Sequence, residues 1–269
     1  MRPNRTFTIG ILALTSAAAI ALPSFGAAAK ASSSVHYAAL GDSYSSGVGT
    51  GTESGSCGRS SQAYGPLWAS EHGASITFAA CSGARTTDVV SSQVPSLSPS
   101  TTLVSLTIGG NDVGFSTIMQ TCVLRSDSAC QSAINTGEQY AQNTLPGKLS
   151  TMFAAIHSHA PHAKVIELGY PYFYDLSVPF CPGLDRTKHQ ALDNGISILD
   201  SVLKTAAAND NATFADVRGQ FSGHELCDGA DWLRAVDYAN IGESYHPTAT
   251  GQANGYLPVF SSAAAKAGQ

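Results

Sequence analysis

Four short blocks carry the residue types that acyl transfer needs. In chain order they are Gly41-Asp42-Ser43, a small-residue turn around Gly83, Gly110-Asn111-Asp112, and His246-Pro247. A serine hydroxyl is a weak nucleophile until a base takes its proton. An imidazole takes that proton near neutral pH, because its unperturbed pKa is about 6.5. The attacked carbonyl then becomes an oxyanion and needs donors already in place. Ser43 is the candidate nucleophile and His246 the candidate general base and acid. The candidate donors are the backbone N–H groups of Ser43 and Gly83 and the side-chain amide of Asn111. Gaps of 40, 28 and 135 residues separate these four positions, so only the fold can join them.

The elements that must do so are legible as runs. Apolar or β-branched stretches at 35–40, 75–79, 102–108, 164–168 and 213–217 read as short strands of a buried parallel sheet. The first three each run directly into one of the first three blocks. In an open parallel sheet, ligands bind outside the carboxyl ends of the strands. Between the strands lie helical stripes. Leu145, Leu149, Met152, Phe153 and Ile156 share one face, with Thr144 as candidate cap and Pro146 in the first turn. Leu192, Ile196, Leu199 and Leu203 form a second stripe. This alternation predicts an α/β fold, doubly wound around a parallel sheet, with one domain over residues 32–269.

The stretches "ALGDSYSSGVG", "FAACSGARTTDV", "VSLTIGGNDVGF" and "SYHPTATGQ" resemble the four blocks of the SGNH (GDSL) hydrolase superfamily. They are similar in particular to secreted streptomycete-type GDSL lipases and esterases, over essentially the whole chain after residue 31. The resemblance implies a flavodoxin-like three-layer sandwich with a five-stranded parallel sheet, and a serine esterase mechanism without cofactor. It implies the disulfides Cys57–Cys81, Cys122–Cys130 and Cys181–Cys227. The residues alone leave fifteen pairings open for six cysteines. One departure stands out. The superfamily usually carries Asp three residues before the histidine, where this chain has Glu243. Glu243 is one candidate to orient His246. The backbone carbonyl of Ser244 is the other, since a carbonyl two residues before the histidine has that role in the related streptomycete enzymes.

Composition bounds the rest. The chain has 269 residues, 43% hydrophobic and 12% charged, enough for a sizeable core in one domain. Arg2 and Arg5, an apolar stretch over 7–22 and small-x-small sites near residues 29–31 read as a secretory signal peptide over 1–29. Without those two arginines, 12 basic residues face 19 acidic ones. That balance offers no footprint for nucleic acid and no polybasic patch for anionic lipid. Six cysteines in an exported chain read as disulfides, and no Cys-x-x-Cys spacing points to zinc. The expectation is a secreted extracellular monomer acting on a small-molecule or lipid ester, with no metal and no membrane anchor. The rivals are an esterase for carbohydrate or plant-polymer esters and a binding protein on the same fold. An α/β-hydrolase needs Gly-x-Ser-x-Gly, which the chain lacks. His157, His159 and His162 read as helix-end histidines rather than metal ligands. Asp42 and Asp112 read as residues that shape their turns. Tyr170, Tyr172, Phe173, Tyr174 and Phe180 fit either an acyl-site wall or local loop packing.

Overall fold

The computed structural model describes residues 35–237 and 243–269, together with residues 1, 3, 4, 6, 8 and 10. The signal-peptide reading falls almost wholly outside them. Residues 1–33 form a unit of their own, separate from Ser34–Gln269.

Five strands build one sheet: β1 (His36–Ala39), β2 (Ser75–Phe78), β3 (Leu103–Leu106), β4 (Lys164–Leu168) and β5 (Thr213–Ala215). All neighbours are parallel, and the order is β2-β1-β3-β4-β5. Four strands are shorter than the apolar runs suggested. Some of the surplus residues still bond to a neighbouring strand, as Leu40 N–H does to the Ser105 carbonyl and Ala79 N–H to the Ala39 carbonyl, before the chain turns away. The connections are α1 (Ser43–Ser46), α2 (Tyr64–His72), α3 (Thr86–Asp88), α4 (Phe115–Leu124), α5 (Asp127–Asn143), α6 (Leu145–His159), α7 (Arg186–Asn209), α8 (Arg218–Phe221) and α9 (Leu257–Lys266).

Helices cover the sheet in a three-layer α/β sandwich. On one side Tyr37 packs edge-on against Trp68 of α2 and stacks on Phe260 of α9. Elsewhere in the core, the α6 stripe of Leu145, Leu149, Met152, Phe153 and Ile156 is fully buried. The α7 stripe of Leu192, Ile196, Leu199 and Leu203 is buried as well, and α7 packs on α5, α6 and β5. Edge strand β2 is less covered, with Ile76 exposed.

Thr144 does not cap α6. Its own N–H bonds to the Tyr140 carbonyl and its backbone is helical, so it continues α5 into α6. An N-cap residue needs the extended conformation instead. Pro146 does sit in the first turn of α6. At the other end of α6, the His159 ring meets the Ala155 carbonyl and the His157 ring meets the Asp210 carbonyl. No metal-holding cluster of His, Cys, Asp or Glu occurs among the described residues. Nor is any described helix long and apolar enough to cross a membrane.

The sulfurs pair as Cys57–Cys81, Cys122–Cys130 and Cys181–Cys227. The first ties the loop before α2 to the turn that carries Gly83. The second joins the end of α4 to the start of α5, and the third clips two loops beyond β4 and β5.

Candidate active site

In this strand order the direction of winding reverses between β1 and β3, so the crevice at their carboxyl ends is the expected ligand site. Ser43 follows β1 and Asn111 follows β3. The chain turns sharply at Gly41, where φ is +110° and a Cβ would collide with the Thr107 carbonyl. Only glycine fits there. Gln93 clasps this turn as a peptide would. Its Oε1 accepts from Gly41 N–H at 2.7 Å and its Nε2 donates to the Gly41 carbonyl at 2.8 Å.

Asp42 then caps α1, accepting from Tyr44 N–H at 3.0 Å. Its carboxylate also accepts from the Thr107 hydroxyl at 2.7 Å and the Tyr170 hydroxyl at 2.5 Å. Burial pushes its pKa up to about 6, with these hydrogen bonds opposing. Asp42 thus fixes the turn, its carboxylate occupied by Tyr44, Thr107 and Tyr170.

The Ser43 Oγ and the His246 Nε2 lie 2.7 Å apart, across 203 residues of sequence. His246 Nδ1 lies 3.1 Å from the Ser244 carbonyl. That carbonyl can only accept, so it puts the proton on Nδ1 and leaves the Nε2 lone pair facing the serine hydroxyl. The imidazole leans on the Tyr44 ring at 4.9 Å. Between Ser244 and His246, Tyr245 adopts a left-handed backbone with φ +66°. Such a residue costs roughly 1–2 kcal/mol. It is held by the Tyr44 hydroxyl, which donates to its carbonyl at 2.7 Å, and by the Tyr174 hydroxyl at 2.7 Å from its own. Arg234 pairs with this segment from both sides, its N–H donating to the His246 carbonyl and its carbonyl accepting from Tyr245 N–H.

The Glu243 carboxylate lies 3.6 Å from Arg234 Nε. A carbonyl-oriented imidazole predicts a small effect for Glu243→Gln. Turnover on a soluble ester should change only several-fold. A loss near ~10⁴, the size seen when a triad acid is neutralised, would assign the orienting role to the carboxylate instead.

Burial also pushes the His246 pKa down to about 4, opposed by the backbone carbonyls of Ser244 and Glu243. Burial disfavours the imidazolium, so the ring stays neutral and able to accept a proton well below its ordinary range. The acidic limb of kcat/KM should therefore fall near pH 4, not near 6.5. A limb centred at 6.5, measured on a soluble ester with an enzyme stable throughout, would contradict this picture.

The Gly83 and Asn111 loops are tied to each other. Asn111 Nδ2 donates to the Ala84 carbonyl at 3.0 Å, which leaves its second N–H for another acceptor. Asp112 accepts from the backbone N–H of Thr86 at 2.9 Å and from its hydroxyl at 2.7 Å. Cys81 N–H bonds to the Gly41 carbonyl at 3.0 Å, so the Gly83 turn also leans on the serine turn. Gly83 itself is exposed with φ +81°, and nothing lies within contact of an added Cβ. Ser43 and Asn111 line one cavity. Of the aromatic group after β4, Tyr170 and Phe173 line it too, whereas Phe180 is 78% exposed. Residues the sequence pattern did not single out are Gln93, Tyr44 and Gln252. The last is fully buried and bridges Tyr64 N–H and the Tyr44 carbonyl. A lone glutamine carries no motif, so nothing local marks it.

Residues 39–253 match the GDSL-like Lipase/Acylhydrolase family. The chain belongs to that family. It is 51% identical to Lipase 1 of Streptomyces coelicolor over 94% of this chain and 96% of the relative. It is 46% identical to a lipase of Streptomyces rimosus over 97% and 98% of the two chains. Among solved structures, phospholipase A1 from Streptomyces albidoflavus NA297 superposes with TM-score 0.83 at 45% identity, over 86% of this chain and 99% of that one. The extracellular lipase of Streptomyces rimosus gives TM-score 0.83 at 47% identity, over 86% and 100%. This family member is therefore an ester hydrolase on the SGNH hydrolase fold.

Proposed function

We propose that Ser43 attacks the carbonyl carbon of an acyl ester while His246 takes its proton. The oxyanion is held by the N–H groups of Ser43 and Gly83 and by the free N–H of Asn111. His246 returns the proton to the departing alcohol, leaving an ester between the acyl group and Ser43 Oγ. Water, deprotonated by His246, then frees the acid. The Ser244 carbonyl holds the imidazole in the required tautomer. The observation that carries this reading is the 2.7 Å contact between Ser43 Oγ and His246 Nε2 beside the Asn111 amide.

The preferred substrates are lipid esters, triacylglycerol or phospholipid, as the names of the relatives suggest. The apolar lining beside Ser43 favours an acyl chain over the acetyl group of a sugar ester. The mature protein is one domain over residues 32–269, exported after removal of 1–29 and acting as a monomer. Its disulfides suit an oxidising compartment, and a relative is described as extracellular. A serine-directed phosphonate is the direct test. It should bind one equivalent at Ser43 and abolish hydrolysis in step. Full hydrolysis after stoichiometric labelling of Ser43, or no labelling of an active enzyme, would overturn the assignment.

A further inference from the structure

Two cavities converge on the Ser43–His246 pair. The first contains Ser43 and Asn111 and is walled by α5 and α7, through residues such as Ile134, Ala141, Ile196 and Leu199. The second contains His246 and is walled by Phe115, Met119, Val123 and Val236. Phe115 borders both. Their chemistry fixes what each must receive. The acyl carbon bonds to Ser43 Oγ and its oxygen points at Asn111, so the acyl chain takes the first cavity. The departing oxygen receives its proton from His246, so the alcohol takes the second.

Gly195 stands in the wall of the first cavity, midway along the 24-residue helix α7. Glycine is the least favourable residue for a helix interior apart from proline. Nothing in the backbone asks for it here, because α7 is helical at this point. Nor does packing ask for it. A Cβ on Gly195 would meet Ile134 Cγ2 at 3.7 Å, an ordinary contact, and nothing closer. Gly137, on the facing helix α5, is different. Its Cβ would strike Ile118 Cδ1 at 2.7 Å, so helix packing accounts for it. The space in front of Gly195 serves neither fold nor packing, and it opens into the cavity that holds the nucleophile.

We propose that Gly195 is a specificity-determining residue whose missing side chain leaves room for long acyl chains in the cavity that α5 and α7 wall. This rests on Ser43 as nucleophile. In the covalent step Ser43 Oγ bonds to the acyl carbon and the ester C–O bond breaks. The hydroxyl proton leaves through His246 on the alcohol. The acyl chain stays on the enzyme until water releases it, so the wall at Gly195 is felt through both half-reactions. It is blind to the alcohol, which the second cavity receives.

The experiment uses Gly195→Ala and Gly195→Leu with two ester series. In p-nitrophenyl esters from acetate to palmitate, Gly195→Leu should lower the ratio of palmitate to acetate kcat/KM by at least ~10-fold, with Gly195→Ala in between. In acetates from methyl to octyl alcohol, the octyl-to-methyl ratio should stay at the wild-type value. Both variants should melt at or above the wild-type temperature, since both replace a helical glycine. An unchanged palmitate-to-acetate ratio in either folded variant overturns the proposal. So does a matching change in the alcohol series, which would mark a general distortion. If Gly195→Leu melts early, Gly195→Ala decides by the same ratio. Retained activity in Ser43→Ala would instead sink the nucleophile assignment, whatever Gly195 does.

Discussion

Ser43→Ala should lose about 10⁶-fold in kcat and still fold. The Ser43 hydroxyl is placed by three independent restraints that the substitution leaves intact. Gly41 turns the chain, Gln93 clasps Gly41, and Asp42 caps α1 through Tyr44 N–H. What disappears is one oxygen, whose partner is His246 Nε2. Residual hydrolysis would come from the oxyanion donors and binding alone, which is why the loss should be near-total but not infinite. Turnover on a soluble ester and the melting temperature, measured on the same preparation, check both halves. The variant should also lose the phosphonate label. Wild-type turnover in a verified Ser43→Ala preparation would end the serine mechanism.

Asn111→Ala should cost roughly 10²–10³ in kcat, with a smaller change in KM. An oxyanion donor works mainly where charge develops, so its loss appears in turnover more than in binding. The Asn111 amide has a second task, because it also donates to the Ala84 carbonyl. Thr86→Val separates the two. It removes the hydroxyl contact to Asp112 that ties the same loops, and keeps the amide. If Thr86→Val matches the loss in Asn111→Ala, the amide acts by holding the loops. A much smaller loss in Thr86→Val leaves the amide as the oxyanion donor.

The sheet and the four blocks were legible because they depend on strong local signals. Runs such as "KVIEL" cannot be solvated cheaply, and Gly41 announces a turn that excludes other residues. What the sequence hid is built from weak signals. Helix α5 buries Cys130, Ile134, Gly137 and Ala141 at helical spacing, yet half of that stripe is glycine and alanine. A stripe of small residues carries little hydrophobic signal, although it packs α5 against its neighbours. Thr144 misled for a related reason: a threonine before Leu-Pro has the local form of a cap, but the preceding helix had already claimed its N–H. Gln93 and Gln252 were invisible because their role is to imitate a peptide link across 52 and 188 residues. The resemblance to related enzymes left the choice between Glu243 and Ser244 open. The structure adds the placement of the Glu243 carboxylate beside Arg234 and of the Ser244 carbonyl beside Nδ1.

The distance along the chain between Ser43 and His246 has a temporal consequence. A ribosome delivers the serine turn early, and α1 with its cap can form from neighbouring residues. The imidazole of His246, and Gln252 that holds the Tyr44 carbonyl behind it, arrive some two hundred residues later. Until that tail segment docks, the nascent polypeptide holds a hydroxyl with no base to activate it. Hydrolysis by this pair thus cannot precede synthesis of the segment that carries His246.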